Sequence, residues 1–154
     1  MSSSVTFNLV HNNGSMYLLG RLGDMYERFL IDTGATTSLI PSSLVSLAGL
    51  NRCMDYTESY RRLHASLSCR DVNGLDTILH PYFVVMDSAP PILGLDILRA
   101  HKAKLTFPPD PRLTLNNEHV DTKIERPIRV MCGLGQYKDL AILDTGACKL
   151  VRPT

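Results

Sequence analysis

This 154-residue chain carries almost no net charge, no closely spaced cysteine pair and no long apolar run, and each lack removes a class of function. Sixteen Lys and Arg stand against fifteen Asp and Glu, which leaves a net charge of +1 and a pI near 7.7. That balance gives no pull toward nucleic acid or an anionic membrane surface. Short basic groups such as Arg61-Arg62 read as solvated surface rather than a binding patch. No apolar run approaches the roughly 18 residues that cross a bilayer. Met1-Ser2-Ser3-Ser4 has no basic segment leading into an apolar stretch, so no secretory signal is visible. Cys53, Cys69, Cys132 and Cys148 form no Cys-x-x-Cys pair, and none of the five scattered His residues stands at metal-ligand spacing from them. The expectation is free thiols, an intracellular and cytoplasmic setting, no metal and no cofactor.

The length fits one domain plus at most a fragment of another. A hydrophobic fraction of 44% is ordinary for a globular core. The chain reads as short strands broken by turn residues, with little helix. Val5 to Val10 is a strand, and His11-Asn12-Asn13-Gly14 a turn. Met16 to Leu22 and Met25 to Ile31 form a hairpin around Gly23-Asp24, and Thr37 to Ile40 a further strand. Ser42 to Ala48, closed by Gly49, predicts one capped helical turn. Arg61 to Arg70 and Leu75 to Met86 predict two long strands joined at Asn73-Gly74. Ile92-Leu93 predicts a buried strand, Asp96 the N-cap of a short helix, and Lys104 to Phe107 and Arg112 to Leu115 the last strands.

The tripeptide Asp-Thr-Gly occurs twice, at Asp32-Thr33-Gly34 and Asp144-Thr145-Gly146, each after an apolar run and before Ala. A carboxylate at the end of a buried strand, on a tight Gly turn, is costly to solvate unless a second polar group meets it. Two such carboxylates face to face cannot both ionise. They share one proton and supply an acid and a base together, the chemistry of an aspartic peptidase. The duplication extends beyond the motif. Adding 112 to the residue number carries Leu22-Gly23 onto Leu134-Gly135, Asp32 to Ala35 onto Asp144 to Ala147, and Pro41 onto Pro153. The sequence given stops at Thr154, so the second copy is only a beginning. The expected division is a domain over 1–116, a polar linker over 117–127 and an incomplete repeat over 128–154.

Phe29 to Pro41 and Pro91 to Leu98, with the core Ile92-Leu93-Gly94-Leu95-Asp96, resemble the catalytic loop and the later apolar segment of the retropepsins. These are the aspartic peptidases of retroviruses and long-terminal-repeat retrotransposons. Gly94 falls 62 residues after Asp32, which suits a monomer of that family, and Tyr82 to Asp87 and His101 to Phe107 look like its retrotransposon branch. The resemblance covers about residues 5 to 115 and restarts near Ile128. It implies a mostly β fold: a closed β-barrel monomer with one short C-terminal helix, assembling as a homodimer. It implies Asp32 as catalytic carboxylate, Thr33 bonding across the two-fold to the partner's loop, and Gly34 bringing its amide to the carboxylate and the substrate. Ala35, Ile92, Leu93, Gly94 and Asp96 would support that loop. Water would be activated by two Asp carboxylates to hydrolyse a peptide bond in a polypeptide substrate, with no covalent intermediate. The setting implied is retroelement polyprotein processing, with no nucleic acid or membrane as partner.

The resemblance also places a substrate-covering flap near Asp55, Tyr56 and Thr57, although no Gly lies between Gly49 and Gly74. Asp144, Thr145 and Gly146 form a second motif that lacks its own flap, apolar segment and helix. Either Asp144 pairs with Asp32 of the same chain, as in a fused two-lobe enzyme, or the tail lies loosely beside a homodimer; the cost of burying an unsupported loop and carboxylate favours the second, with Asp144 dispensable. Asp96 reads as a helix cap rather than a second catalytic group. Gly133-Leu134-Gly135 reads as a strand turn, because no third Gly or Lys-Ser/Thr follows at phosphate-loop spacing. Ser42 and Ser43 lack a Gly-x-Ser-x-Gly setting. The alternative function is a non-catalytic retropepsin-like dimerisation or peptide-binding remnant.

Overall fold

The computed structural model describes residues 4–116 and 121–123. The order opens with β1 (Ser4–Asn8), β2 (Val10–Asn12), β3 (Ser15–Leu22) and β4 (Met25–Ile31). Asn13 and Gly14 both take positive φ (52 and 83°) in the turn between β2 and β3, as a tight hairpin requires. The β3–β4 hairpin closes at Gly23, φ 59°, where an added Cβ would stand 2.5 Å from the Ala48 carbonyl oxygen. Leu18 and Leu22 on β3 and Phe29 and Ile31 on β4 alternate inward, the period of a strand with one buried face. That alternation is what delivers Asp32 at the edge of the core.

β5 (Leu39–Ile40) leads into α1 (Ser42–Leu47), which buries Leu44 and Val45. Its end is a Schellman motif: Leu50 N–H reaches the Val45 carbonyl at 2.9 Å and Gly49 N–H the Ser46 carbonyl at 3.0 Å. A single 3-10 turn, Asn51–Cys53, precedes β6 (Met54–Tyr56) and β7 (Arg61–His64). Then follow β8 (Leu67–Arg70), β9 (Asp76–Leu79), β10 (Tyr82–Val85), β11 (Ile92–Leu93), α2 (Leu95–Ala100), β12 (Lys104–Thr106), β13 (Arg112–Asn116) and β14 (Asp121–Lys123).

Two expected long strands are four. The run from Arg61 to Arg70 breaks at Ala65-Ser66, and the run from Leu75 to Met86 breaks opposite it at His80-Pro81, where Ala65 N–H meets the Pro81 carbonyl. Pro81 has no N–H to give a ladder, so the pair bends there. Beyond the corner, β8 joins β3, whereas β10 joins β5. The turn at the far end is held by Asp71, whose Oδ1 accepts the amides of Asn73 and Leu75.

The strands form two sheets among the described residues. An eleven-stranded sheet runs in the order β14-β9-β8-β3-β4-β11-β5-β10-β7-β6, with β2 beside β3, and no ladder among the described residues joins its two ends. β1 pairs with β13 in a separate three-stranded sheet, β1-β13-β12. The described residues are mostly β, with two six-residue helices, α1 where one helical turn was expected and α2 at the place of the expected C-terminal helix. The stretch read as a linker includes β14, which pairs antiparallel with β9. Phe7, Phe29, Phe83, Leu22, Leu67 and Leu93 lie among the fully buried side chains of one core, and the rings of Phe29 and Phe83 stack at 5.9 Å.

Candidate active site

β11 is the element that organises the site. It lies between β4, to which it runs parallel, and β5, to which it runs antiparallel. Ile92 pairs with Leu30 and Leu93 with Ile31, and the ladder ends with the Asp32 amide on the Leu93 carbonyl at 3.1 Å. The chain then leaves the sheet. Asp32 is half-buried, Thr33 and Gly34 are exposed, and Ala35 N–H closes a turn onto the Asp32 carbonyl at 3.2 Å. Gly34 N–H donates to Asp32 Oδ1 at 2.9 Å, and a Cβ on Gly34 would lie 3.2 Å from that oxygen. A carboxylate fixed by a backbone amide, with its flanking residues open to solvent, can exchange protons with a substrate or a water.

The far half of the loop hangs on the start of α2. Leu95 N–H reaches the Ala35 carbonyl at 2.8 Å, and a Cβ on Gly94 would meet the carbonyl oxygens of Ala35 and Thr37 at 2.6 and 2.9 Å. Only glycine permits that approach. The N-cap of α2 is Gly94, not Asp96. Asp96 sits in the first turn and directs its carboxylate at Ser38: Oδ1 accepts the Ser38 hydroxyl at 2.7 Å and Oδ2 the Ser38 amide at 3.0 Å. Oδ1 also accepts the Ile97 amide at 2.8 Å, so the carboxylate serves the first turn of the helix and the neighbouring loop together, from inside the helix rather than from the cap position.

The hairpin of β6 and β7 stands at the expected flap position. Its tip needs no glycine. Thr57 Oγ1 accepts the amides of Ser59 and Tyr60 at 3.1 and 3.0 Å and donates to the Tyr60 carbonyl, so a side chain does the turning. Asp55 pairs across the hairpin with Arg62 and Tyr56 with Arg61, and Tyr56 is 71% exposed. A cavity of about 510 Å³ is lined by Tyr56, Thr57, Tyr60, Arg61, Val84 and Met86. The return strand is tethered by Asp87, whose Oδ1 accepts from both Arg61 and Ser42 at 2.7 Å and whose carboxyl is held below its usual pKa, chiefly by the Arg61 hydrogen bond.

A second cavity, about 350 Å³, lies beside Thr33 and is floored by Leu95, Leu98, Leu105 and Leu113, with Arg99 and Lys102 at it. At the root of the hairpin, His64 stacks on Tyr82 at 4.0 Å with its partner His80 ring 6.4 Å away, and Arg62 lies over the Tyr82 ring at 5.2 Å. Burial chiefly, then the His80 charge and after it the Arg62 charge, lower the His64 pKa against the opposing His80 backbone hydrogen bond and Asp55. Cys69 is fully buried, and desolvation keeps its thiol protonated and inert.

The structure brings Asp32, Thr33, Gly34, Ala35, Ile92, Leu93, Gly94 and Asp96 together, and sets Asp55, Tyr56 and Thr57 on the hairpin. Asp144, Thr145 and Gly146 lie outside the described residues. Ser38, Asp87 and His64 were not singled out by the sequence, and no local spacing signals them, since their partners stand 58, 26 and 18 residues away. Among the described residues no group of three or more His, Cys, Asp or Glu could hold a metal. No described helix is long and apolar enough to cross a membrane.

The solved structure of the retroviral protease-like domain of Ddi1 from Leishmania major is similar at a TM-score of 0.51 and 20% identity, over 62% of this chain and 79% of that one. A retropepsin-like aspartic protease from Rickettsia conorii is similar at 0.50 and 20%, over 75% and 94%. The fold is retropepsin-like. No protein-family model matches the chain, and no curated protein matches it. At 20% identity the likeness carries the fold, and the chemistry has to be argued from the residues.

Proposed function

We propose that this retropepsin-like domain is an aspartic endopeptidase that works as a homodimer. The observation that carries the reading is the half-buried Asp32 carboxylate, held by the Gly34 amide at 2.9 Å on an otherwise exposed loop. Its setting in a retropepsin-like fold, with a β-hairpin at the flap position, supports the same conclusion.

One carboxylate per domain is half a site. Two Asp32 groups brought face to face share a proton: the ionised one takes a proton from water, and the protonated one hydrogen-bonds the scissile carbonyl and stabilises its developing oxyanion. An extended polypeptide lies between loop and hairpin. Thr33, exposed beside the apolar cleft of Leu95, Leu98, Leu105 and Leu113, favours docking of the second copy at this face. The likeness of Tyr82 to Asp87 and His101 to Phe107 to retrotransposon enzymes supports processing of a retroelement polyprotein. Asp144, Thr145 and Gly146 are not required in this account.

The test is specific activity against an unstructured polypeptide across a dilution series that spans dimer and monomer. Activity per chain falls on dilution, and excess Asp32→Asn chain poisons the wild type by forming mixed dimers. Undiminished activity in a strictly monomeric preparation overturns the homodimer. A stable dimer that cleaves nothing identifies the non-catalytic module instead.

A further inference from the structure

Arg61 and Arg62 read from the sequence as one solvated basic group, but neighbours on a strand point to opposite faces. Arg61 is engaged by Asp87 at 2.7 Å. Arg62 is not matched in this way. Its Nη2 stands 3.8 Å from Asp55 Oδ2, beyond hydrogen-bond distance, and its Nε is buried with no partner. Its guanidinium carbon lies 5.2 Å from the centroid of the Tyr82 ring, and Tyr82 is 52% exposed. A half-exposed guanidinium is thus held over a ring, and the acid beside it is only loosely engaged.

The register shows which face this is. Leu30 pairs with Ile92, Ile92 with Leu39, Leu39 with Val84, Val84 with Arg62 and Arg62 with Asp55. Residues paired directly across strands share a face, so these six form one row over β4, β11, β5, β10, β7 and β6. Their strand neighbours Ile31, Leu93 and Ile40 are buried in the core on the other face. Leu30 stands two residues before Asp32, so the row begins beside the carboxylate. It is apolar from Leu30 to Val84 and first meets charge at Arg62.

We infer that Arg62 is a specificity-determining residue, which selects an acidic side chain in the polypeptide at a distance from the scissile bond. This rests on a polypeptide binding across the Asp32 face. Four strand spacings of about 4.8 Å carry the row roughly 19 Å from β4 to β7, about six residues of extended chain. A carboxylate at that place meets the guanidinium instead of Asp55 and forms the charge-assisted hydrogen bonds that Asp55, at 3.8 Å, does not. A lysine there meets like charge. The second copy of a homodimer presents the same row, so the preference holds on both sides of the bond.

The test maps, by mass spectrometry, the bonds that wild type, Arg62→Gln, Arg62→Glu and Asp55→Asn cleave in a library of unstructured peptides. For the wild type, Asp or Glu four to seven residues from the cleaved bond raises kcat/KM about two- to fivefold over Gln, the scale of a half-exposed ion pair, and Lys there lowers it. Arg62→Gln abolishes the preference, and Arg62→Glu turns it toward Lys and Arg. Asp55→Asn removes the competing carboxylate and sharpens it. A purely structural Arg62 would slow every substrate alike. An unchanged preference in Arg62→Gln or Arg62→Glu therefore overturns the proposal, as does a wild type blind to charge at those positions. Peptide binding to Asp32→Asn separates this from the reading of Asp32 as catalytic, because it needs no hydrolysis. A Glu-bearing peptide binds that variant about two- to fivefold more tightly than its Gln counterpart and loses the advantage at high salt. Equal affinity for the two peptides, or binding of neither, overturns the selectivity.

Discussion

The Asp32 amide donates to the Leu93 carbonyl at 3.1 Å, so the carboxylate-bearing residue is the last hydrogen-bonded position of a parallel strand pair. Leu93 falls 61 residues after Asp32. The contact explains why the motif needs its distant apolar segment. Ile92 and Leu93, both buried, put a two-residue strand between β4 and β5, and the loop that joins β4 to β5 has to arch over Gly94. A loop arched over backbone in this way holds a carboxylate partly in solvent and partly against the Gly34 amide.

Gly94→Ala tests that arch. The new methyl group would meet two carbonyl oxygens at 2.6 and 2.9 Å, and these are backbone atoms that cannot rotate away. The expected cost is about 1–3 kcal/mol in unfolding free energy by denaturant titration, the range for forcing an extra carbon into a packed site. A change below about 0.5 kcal/mol would mean the loop gives way freely.

Thr57→Val tests how the hairpin tip turns without glycine. The valine keeps the volume and β-branching but loses the hydroxyl that accepts two amides. Hydrogen exchange at Ser59 and Tyr60 should quicken by about five- to tenfold, equivalent to ~1 kcal/mol of local opening, while exchange in β3 is unchanged. Unaltered exchange at both amides would show that the strand ladder alone holds the tip.

The titrating groups at the hairpin root set two acid windows. The folded His64 pKa is depressed, so the unfolded chain takes up that proton first, and stability is lost as pH falls below about 6.5. Asp87 is also depressed, and its contribution, present above its unfolded value, is lost as pH falls through its lower folded value, in a separate and more acidic range. In His64→Phe the ring keeps its place on Tyr82 and cannot charge. Thermal midpoints between pH 7 and 5.5 should fall for the wild type and fall less for His64→Phe. Parallel curves would remove His64 from the account.

Much of the site was legible because it is local. Asp32, Thr33, Gly34 and Ala35 are consecutive, the hairpin that carries them alternates plainly, and Ile92-Leu93 reads as a buried strand. What failed depends on partners far along the chain. Asp96 has the residue type and place of a helix cap, and only the neighbouring loop shows that its carboxylate serves Ser38. The long strands at Arg61 and Leu75 looked continuous because their hydrophobic pattern continues through the corner, whereas the change of partner from β5 to β3 is a tertiary matter. The partner of β1 was not legible for a similar reason: whether it joins the large sheet or pairs with β13 is not written in its own five residues.

The central claim is that Asp32 is the catalytic carboxylate, and the most direct measurement is cleavage of an unstructured polypeptide by wild type, Asp32→Asn and Asp144→Asn side by side. The account predicts that the wild type cleaves and is blocked by a transition-state mimic such as pepstatin. Asp32→Asn, folded and still dimeric, should lose at least about 10³-fold in kcat, since general acid–base catalysis alone is worth roughly 10²–10⁴, and Asp144→Asn should retain full rate. Wild-type rates in Asp32→Asn would contradict the claim outright, and equal silencing by Asp144→Asn would replace the homodimer with a pair of carboxylates drawn from one chain.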